Sequence, residues 1–162
     1  MINNIPKKIS SFILVAIIAF ILFKIYVAQD KYNLENNQTE WDKNNTREIN
    51  ANDKLLNNSK QTTQINLPYF KSEFKTKDKS KTDFFTKVKL TENEKTEHIW
   101  IYILNINNDK SIGLLYNEPT YFKNIKYLDT ITFDINKAED IMIMKNDSIL
   151  FGGFLQAEME KN

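Results

Sequence analysis

The sequence predicts an α+β protein: an N-terminal membrane helix, a polar tether, then a helix packed on a curled antiparallel sheet or small barrel of about six strands. Three observations carry this. An apolar run fills residues 10–28. Near residue 84 the apolar pattern changes from helical spacing to alternation. From there to residue 155, turn signals separate short apolar segments.

The apolar run comes first. Ser10 to Ala28 is 19 residues. At about 1.5 Å per residue it spans about 28 Å, close to the ~30 Å hydrocarbon core of a bilayer. The whole chain of 162 residues has a net charge of +1. That total averages two unlike parts. Residues 1–28 hold Lys7, Lys8 and Lys24 without an acid, giving +3, and the remainder balances to −2. Lys7 and Lys8 on the short leading side favour an N-terminus in the cytoplasm and a C-terminal body in the periplasm or outside. Lys24 lies near one end of the span, where a lysine snorkels to the interface beside Tyr26. An uncleaved signal anchor over residues 1–28 is the expectation. The alternative is a secreted chain whose signal peptide has been removed.

Residues 29–52 are Asn-rich and poor in apolar side chains, and read as a tether. Leu34, Trp41 and Ile49 recur at seven and eight residues, a weak helical stripe. The globular domain follows over residues 53–162. Asp53 is a candidate N-cap, and Leu55, Leu56, Ser59, Thr63 and Leu67 share one face. Pro68 is expected to end this helix or to open a second turn carrying Tyr69, Phe70 and Phe74. Lys75–Lys81 reads as a polar loop.

Six strands are then expected. Phe84–Leu90 is the first. Glu97–Asn105 is the strongest: Ile99, Ile101 and Ile103 alternate with His98, Trp100, Tyr102 and Leu104, so both faces should be covered. Asn107–Lys110 marks a hairpin, Ile112–Tyr116 returns, and Asn117-Glu118-Pro119 ends that strand. Thr130–Ile135 alternates cleanly. Asp140–Met144 comes next, Asn146-Asp147 suits a two-residue hairpin loop, and Ile149–Leu155 closes the set with a bend at Gly152-Gly153.

Glu97-His98-Ile99-Trp100 followed by Gly113-Leu114-Leu115-Tyr116-Asn117-Glu118-Pro119 resembles the YegJ-like domain of unknown function 2314. So does the tail, with Asp129 before an alternating strand, Asp140 opening the next and Gly152-Gly153 after the hairpin. The resemblance covers about residues 53–157. It implies a bacterial setting and a fold, and no activity. In one departure, Ile141 stands where the family pattern has a Trp after its Asp, which puts part of any ligand surface there in doubt.

Composition excludes several functions. There is no Cys, so there is no disulfide framework, thiol nucleophile, cysteine metal site or lipid attached through Cys. Three Gly cannot build a Gly-rich phosphate loop. One Arg and a near-neutral charge give no nucleic-acid footprint. His98 is the sole His. Glu97 beside it in a strand points to the opposite face, so a dyad or triad would need an acid from another strand, such as Asp140 or Asp129. The competing reading is a structural His packed near Trp100. Asp134, Glu139 and Asp140 form a cluster without the spacing of a metal loop, and read as a solvated turn. Lys71, Lys75, Lys77, Lys79, Lys81, Lys87 and Lys89 form a basic run, read either as a solvated segment or as a contact for phosphate or anionic lipid.

The candidate binding surface is Glu97, His98, Trp100, Tyr102, Asn117, Pro119 and Asp140. No catalytic residue, metal or cofactor is expected. The function expected is a membrane-anchored, non-enzymatic module binding an envelope protein or peptide. The alternatives are a small enzyme using His98 with Asp140 or Glu97, and an immunity-type protein neutralising a polypeptide partner.

Overall fold

The computed structural model describes residues 7–36, 54–79, 82–92 and 94–159, with side chains in the first helix from Val15 to Tyr32. The chain divides into two units, residues 1–40 and 41–162. In the first, α1 spans Lys7–Asn36. Its apolar side chains from Val15 to Leu22 are exposed around most of the helix, Val15 at 62% and Phe20 at 61%. Among the described residues, no helix is long and apolar enough to cross a membrane. The side chains of residues 10–14, where the expected span begins, lie outside the described residues, as do residues 37–53 with Trp41 and the candidate cap Asp53.

In the second unit, α2 (Lys54–Thr76) precedes six strands: β1 (Asp83–Glu92), β2 (Lys95–Asn107), β3 (Lys110–Leu115), β4 (Thr130–Asp134), β5 (Asp140–Lys145) and β6 (Ser148–Gly152). A last short helix, α3, covers Phe154–Met159. The strand order is β4-β3-β2-β1-β5-β6, and every pairing is antiparallel. The sheet is open, with β4 and β6 at its edges, so the barrel alternative is corrected to an open sheet.

The helix α2 buries Leu56, Ser59, Thr63, Leu67, Phe70 and Phe74, a single face at spacings of three and four. Pro68 sits inside this helix and does not end it. A proline there forfeits one backbone bond and crowds the preceding turn. Leu67, Phe70 and Phe74 flank it and all enter the main core with Phe84, Ile103, Ile141 and Ile143. Each such side chain contributes roughly 1.5–3 kcal/mol on burial, enough together to offset the loss. The helix also runs on through Lys75 and Thr76, shortening the expected loop.

Strand β2 is the central element. Ile101, Tyr102, Ile103 and Leu104 are all buried, so both faces are covered, as the double alternation predicts. A second cluster joins Val88, Ile99, Ile101, Leu115 and Phe122. Asn146 and Asp147 both have positive φ between the paired Lys145 and Ser148, a two-residue hairpin.

The connection from β4 to β5 determines the shape. The two strands stand four positions apart, which in a flat sheet is about 19 Å. Only Ile135–Glu139 joins them, and Ile135–Lys137 is a 3₁₀ turn. With about 2 Å of rise per 3₁₀ residue, the linker reaches roughly 17 Å at most. A flat sheet is out of reach, so the sheet curls and the linker crosses its concave side. Ile135 and Ala138 accordingly pack against Ile103 of β2.

The end of the sheet differs from expectation. β6 stops at Gly152, and Phe154 and Leu155 begin α3. Gly152 has φ +86°, and a Cβ there would lie 1.9 Å from the Ile141 carbonyl oxygen. Gly153 N–H donates to that same oxygen at 2.8 Å. Gly152→Ala should therefore destabilise the fold by about 2 kcal/mol or more, from the left-handed backbone and the clash combined. Urea denaturation of the two proteins checks this.

Candidate functional site

The short linker carries Glu139 and Asp140 into the interior, where they are 3% and 0% exposed. The expectation of a solvated turn is corrected. Its physical reason is the tight crossing, which places Glu139 among α2, β1 and β2 and brings Asp140 in at the start of β5.

Every backbone and side-chain group of Glu139 that could be left unsatisfied is bound. Its N–H donates to the Lys87 carbonyl at 2.8 Å. Its carbonyl accepts from Ser59 Oγ at 3.0 Å and Thr63 Oγ1 at 3.3 Å. This explains two polar residues on the buried face of α2. One carboxylate oxygen accepts from Lys60 Nζ at 2.7 Å, and the other pairs with His98 Nδ1. Burial pushes the Glu139 carboxyl up, but the hydrogen bonds from His98 and Lys60, with their charges, outweigh it and hold it below its ordinary value. An ionised Glu139 makes His98 Nδ1 the donor of that pair.

Asp140 faces α3. Its Oδ1 accepts from the N–H of Ile141 at 2.8 Å and of Phe154 at 3.1 Å, and its Oδ2 from the N–H of Leu155 at 2.9 Å. The carboxylate thus holds the first turn of α3, whose N–H groups have no partner within the helix. Burial raises this carboxyl to about 6, against the pull of the three N–H donors and of Lys87. Lys87 stands opposite Asp140 on β1. Burial lowers its ammonium, with Asp140 and Glu139 opposing.

The other proposed residues divide between surface and core. The Glu97 carboxylate accepts from the N–H groups of Thr120, at 2.9 Å, and Tyr121. Asn117 Oδ1 accepts from Trp100 N–H at 3.0 Å. Glu97 and Asn117 therefore pin the loop after β3, which carries Pro119, to β2. Tyr102 is 6% exposed and packs edge-on against Phe85 at 5.4 Å. Ile141 is fully buried in the main core, so the departure from the Trp of the family pattern falls inside the fold.

His98 meets neither Asp140 nor Glu97. Its acid is Glu139, which sequence reasoning placed in a turn; no spacing signals the pair, because 41 residues separate the partners. Among the described residues, no group of three or more His, Asp or Glu side chains is arranged to hold a metal. A groove of about 330 Å³ runs between α2 and α3, lined by Asn58, Gln61 and Thr62 on one side and Phe154, Ala157 and Glu158 on the other.

An open antiparallel sheet, tied to one long helix through a buried carboxylate, defines a small α+β domain whose two buried acids are engaged by the fold. The chain belongs to the family described as uncharacterized protein conserved in bacteria (DUF2314), whose model matches residues 53–162. No curated protein and no solved structure matches the chain.

These contacts set two stability outcomes. Glu139→Gln should cost about 1–3 kcal/mol, because buried partners lose their charged acceptor. Lys60→Met should cost under about 1 kcal/mol, since the Lys60 side chain is 33% exposed and solvent-screened. Equilibrium unfolding in urea separates them. Asp140 has the opposite sign with pH. Its folded value of about 6 lies above the ordinary 3.8, so the folded state binds the proton more tightly. The contribution of Asp140 to stability therefore falls as pH rises from about 4 to 6. Relative to Asp140→Asn, the parent protein should lose stability over that interval, as measured by unfolding at each pH.

Proposed function

We propose that this chain is a membrane-anchored binding module whose C-terminal domain faces the periplasm or the exterior. The observation that carries the non-enzymatic part is the engagement of its titratable groups. His98 is bound to Glu139, Asp140 caps α3, and Glu97 pins a loop. A catalytic dyad needs a base aimed at substrate with its supporting acid behind it. Glu139 stands behind His98 in that way, but Asp140 and Glu97 hold backbone N–H groups, and among the described residues no hydroxyl is hydrogen-bonded to His98.

The anchoring part rests on the apolar run 10–28, on the exposed apolar side chains of α1 from Val15 to Leu22, and on Lys7 and Lys8 ahead of them. A helix that is apolar around its circumference needs a lipid or protein surround. The loop-bearing end of the sheet, with Trp100, Asn117, Pro119 and the 44%-exposed Tyr121, is the surface offered to an envelope protein or peptide.

Fusion of the full chain to a C-terminal alkaline phosphatase, active only after export, should yield an active enzyme in the membrane fraction. A C-terminal fluorescent protein that folds only in the cytoplasm should stay dark. The reverse pattern overturns the topology, and activity in the medium favours the cleaved form.

A further inference from the structure

We propose that the β4 edge of the sheet pairs with β4 of a second copy of this chain, antiparallel about a two-fold axis through Thr132. Strand β4 runs Thr-Ile-Thr-Phe-Asp from Thr130 to Asp134 and lies at the end of the strand order. Leu115 N–H donates to the Asp129 carbonyl at 3.0 Å, and Ile135 N–H to the Asp109 carbonyl at 3.0 Å. These two bonds set the phase of the ladder. Backbone groups alternate in direction along an antiparallel strand, so Asp129, Ile131, Phe133 and Ile135 turn theirs to β3. The N–H and C=O groups of Thr130, Thr132 and Asp134 point away from the sheet. Among the described residues, no backbone partner meets them.

Edges that must stay unpaired are blunted by Lys, Pro or a bulge. The other edge has such a device: β6 breaks register against Ile143 and Met144 of β5. β4 has none of the three. Its pairing with β3 is uninterrupted from Lys110↔Asp134 to Leu114↔Thr130, and its residues up to Phe133 are β-branched or aromatic. Thr130 and Thr132 are exposed. Ile131 and Phe133 are half-buried, packed against the core on one side and open at the edge.

The sequence of β4 selects its own copy as the partner. With the axis at Thr132, Thr130 faces Asp134 of the second copy, and Thr132 faces its counterpart. These are the residues whose backbone groups point outward, so each donates and accepts across the seam. Ile131 then lies beside Phe133 of the second copy on the inner face, about 5 Å apart, and the two cover each other's open sides. The threonines meet on the outer face, a favourable cross-strand pair. The single charge of the strand, Asp134, meets a hydroxyl and no like charge. An axis at Ile131 or Phe133 leaves an end of the strand unpaired, and one at Asp134 sets two carboxylates opposite each other. The arrangement is isologous, as a closed dimer requires. Its seam is smaller than the roughly 1,200–2,000 Å² of a permanent complex, so the dimer forms reversibly.

The inference is independent of the membrane reading, because β4 contributes nothing to the topology fusions. Sedimentation equilibrium of the full chain in density-matched detergent, with micelles in excess, should show a monomer–dimer equilibrium that follows protein concentration. Thr132→Pro removes an outward N–H that β3 does not use, so circular dichroism should be unchanged while the dimer Kd rises about tenfold or more. Thr132→Lys and Thr132→Glu each place like charges on the axis and should each weaken self-association several-fold. Mixed together, the Lys and Glu variants should associate more tightly than either alone, because residue 132 meets only itself. A chain that is monomeric at every concentration overturns the proposal. So does a dimer unaffected by Thr132→Pro, which would place the contact on another element, or a Lys–Glu mixture no tighter than its components.

Discussion

The linker between β4 and β5 is too short for a flat sheet, and most of this domain's particular features answer to that. Five residues must cross from one edge strand to the far side of β1. The crossing takes the Ala138 and Glu139 backbone inside the fold, where each unbound carbonyl would cost ~1–3 kcal/mol. Side chains from outside the linker bind them. Gln64 Nε2 donates to the carbonyls of Asn136 and Ala138, Ser59 and Thr63 to that of Glu139, and Thr86 to that of Asp140. The polar residues on the inner face of α2 are the partners that the crossing needs.

The same constraint sets the electrostatics. A linker that dips below the surface brings its acids with it, and two adjacent carboxylates are buried in different ways. Glu139 meets cationic partners and is held ionised. Asp140 meets backbone N–H groups, and burial dominates. Their neighbour Lys87 lies against the Trp100 ring, with both acids opposing the effect of its burial. Cation, imidazole and two acids thus lie close together on β1, β2 and the start of β5.

Much of this was legible in the sequence where the physics is local. The double alternation of β2 announced a strand covered on both faces, and Asn146-Asp147 announced its hairpin through a preference for positive φ. Ser59 and Thr63 fell on the correct face of α2 by spacing alone. The failures are tertiary. Pro68 is a local stop signal, overridden by phenylalanines that find their partners on β1 and β5. Gly152-Gly153 marked a bend, but the chain continues beyond it as a helix, held by an Asp 14 residues earlier. The partnership of His98 and Glu139 has no sequence signature, since it exists only because the linker is short.

The ordered resemblance survives this division because it samples both kinds of residue. Glu97, Trp100 and Asn117 hold the loop after β3 in place, Asp140 holds α3, and Gly152 permits the close approach of β6 to β5. These are structural duties, so a pattern built from them identifies the fold without identifying a ligand. Function must then be sought among residues that the fold does not use. The buried acids are satisfied by neighbours, and Lys87 answers them across the sheet, opposite Asp140 and against the Trp100 ring.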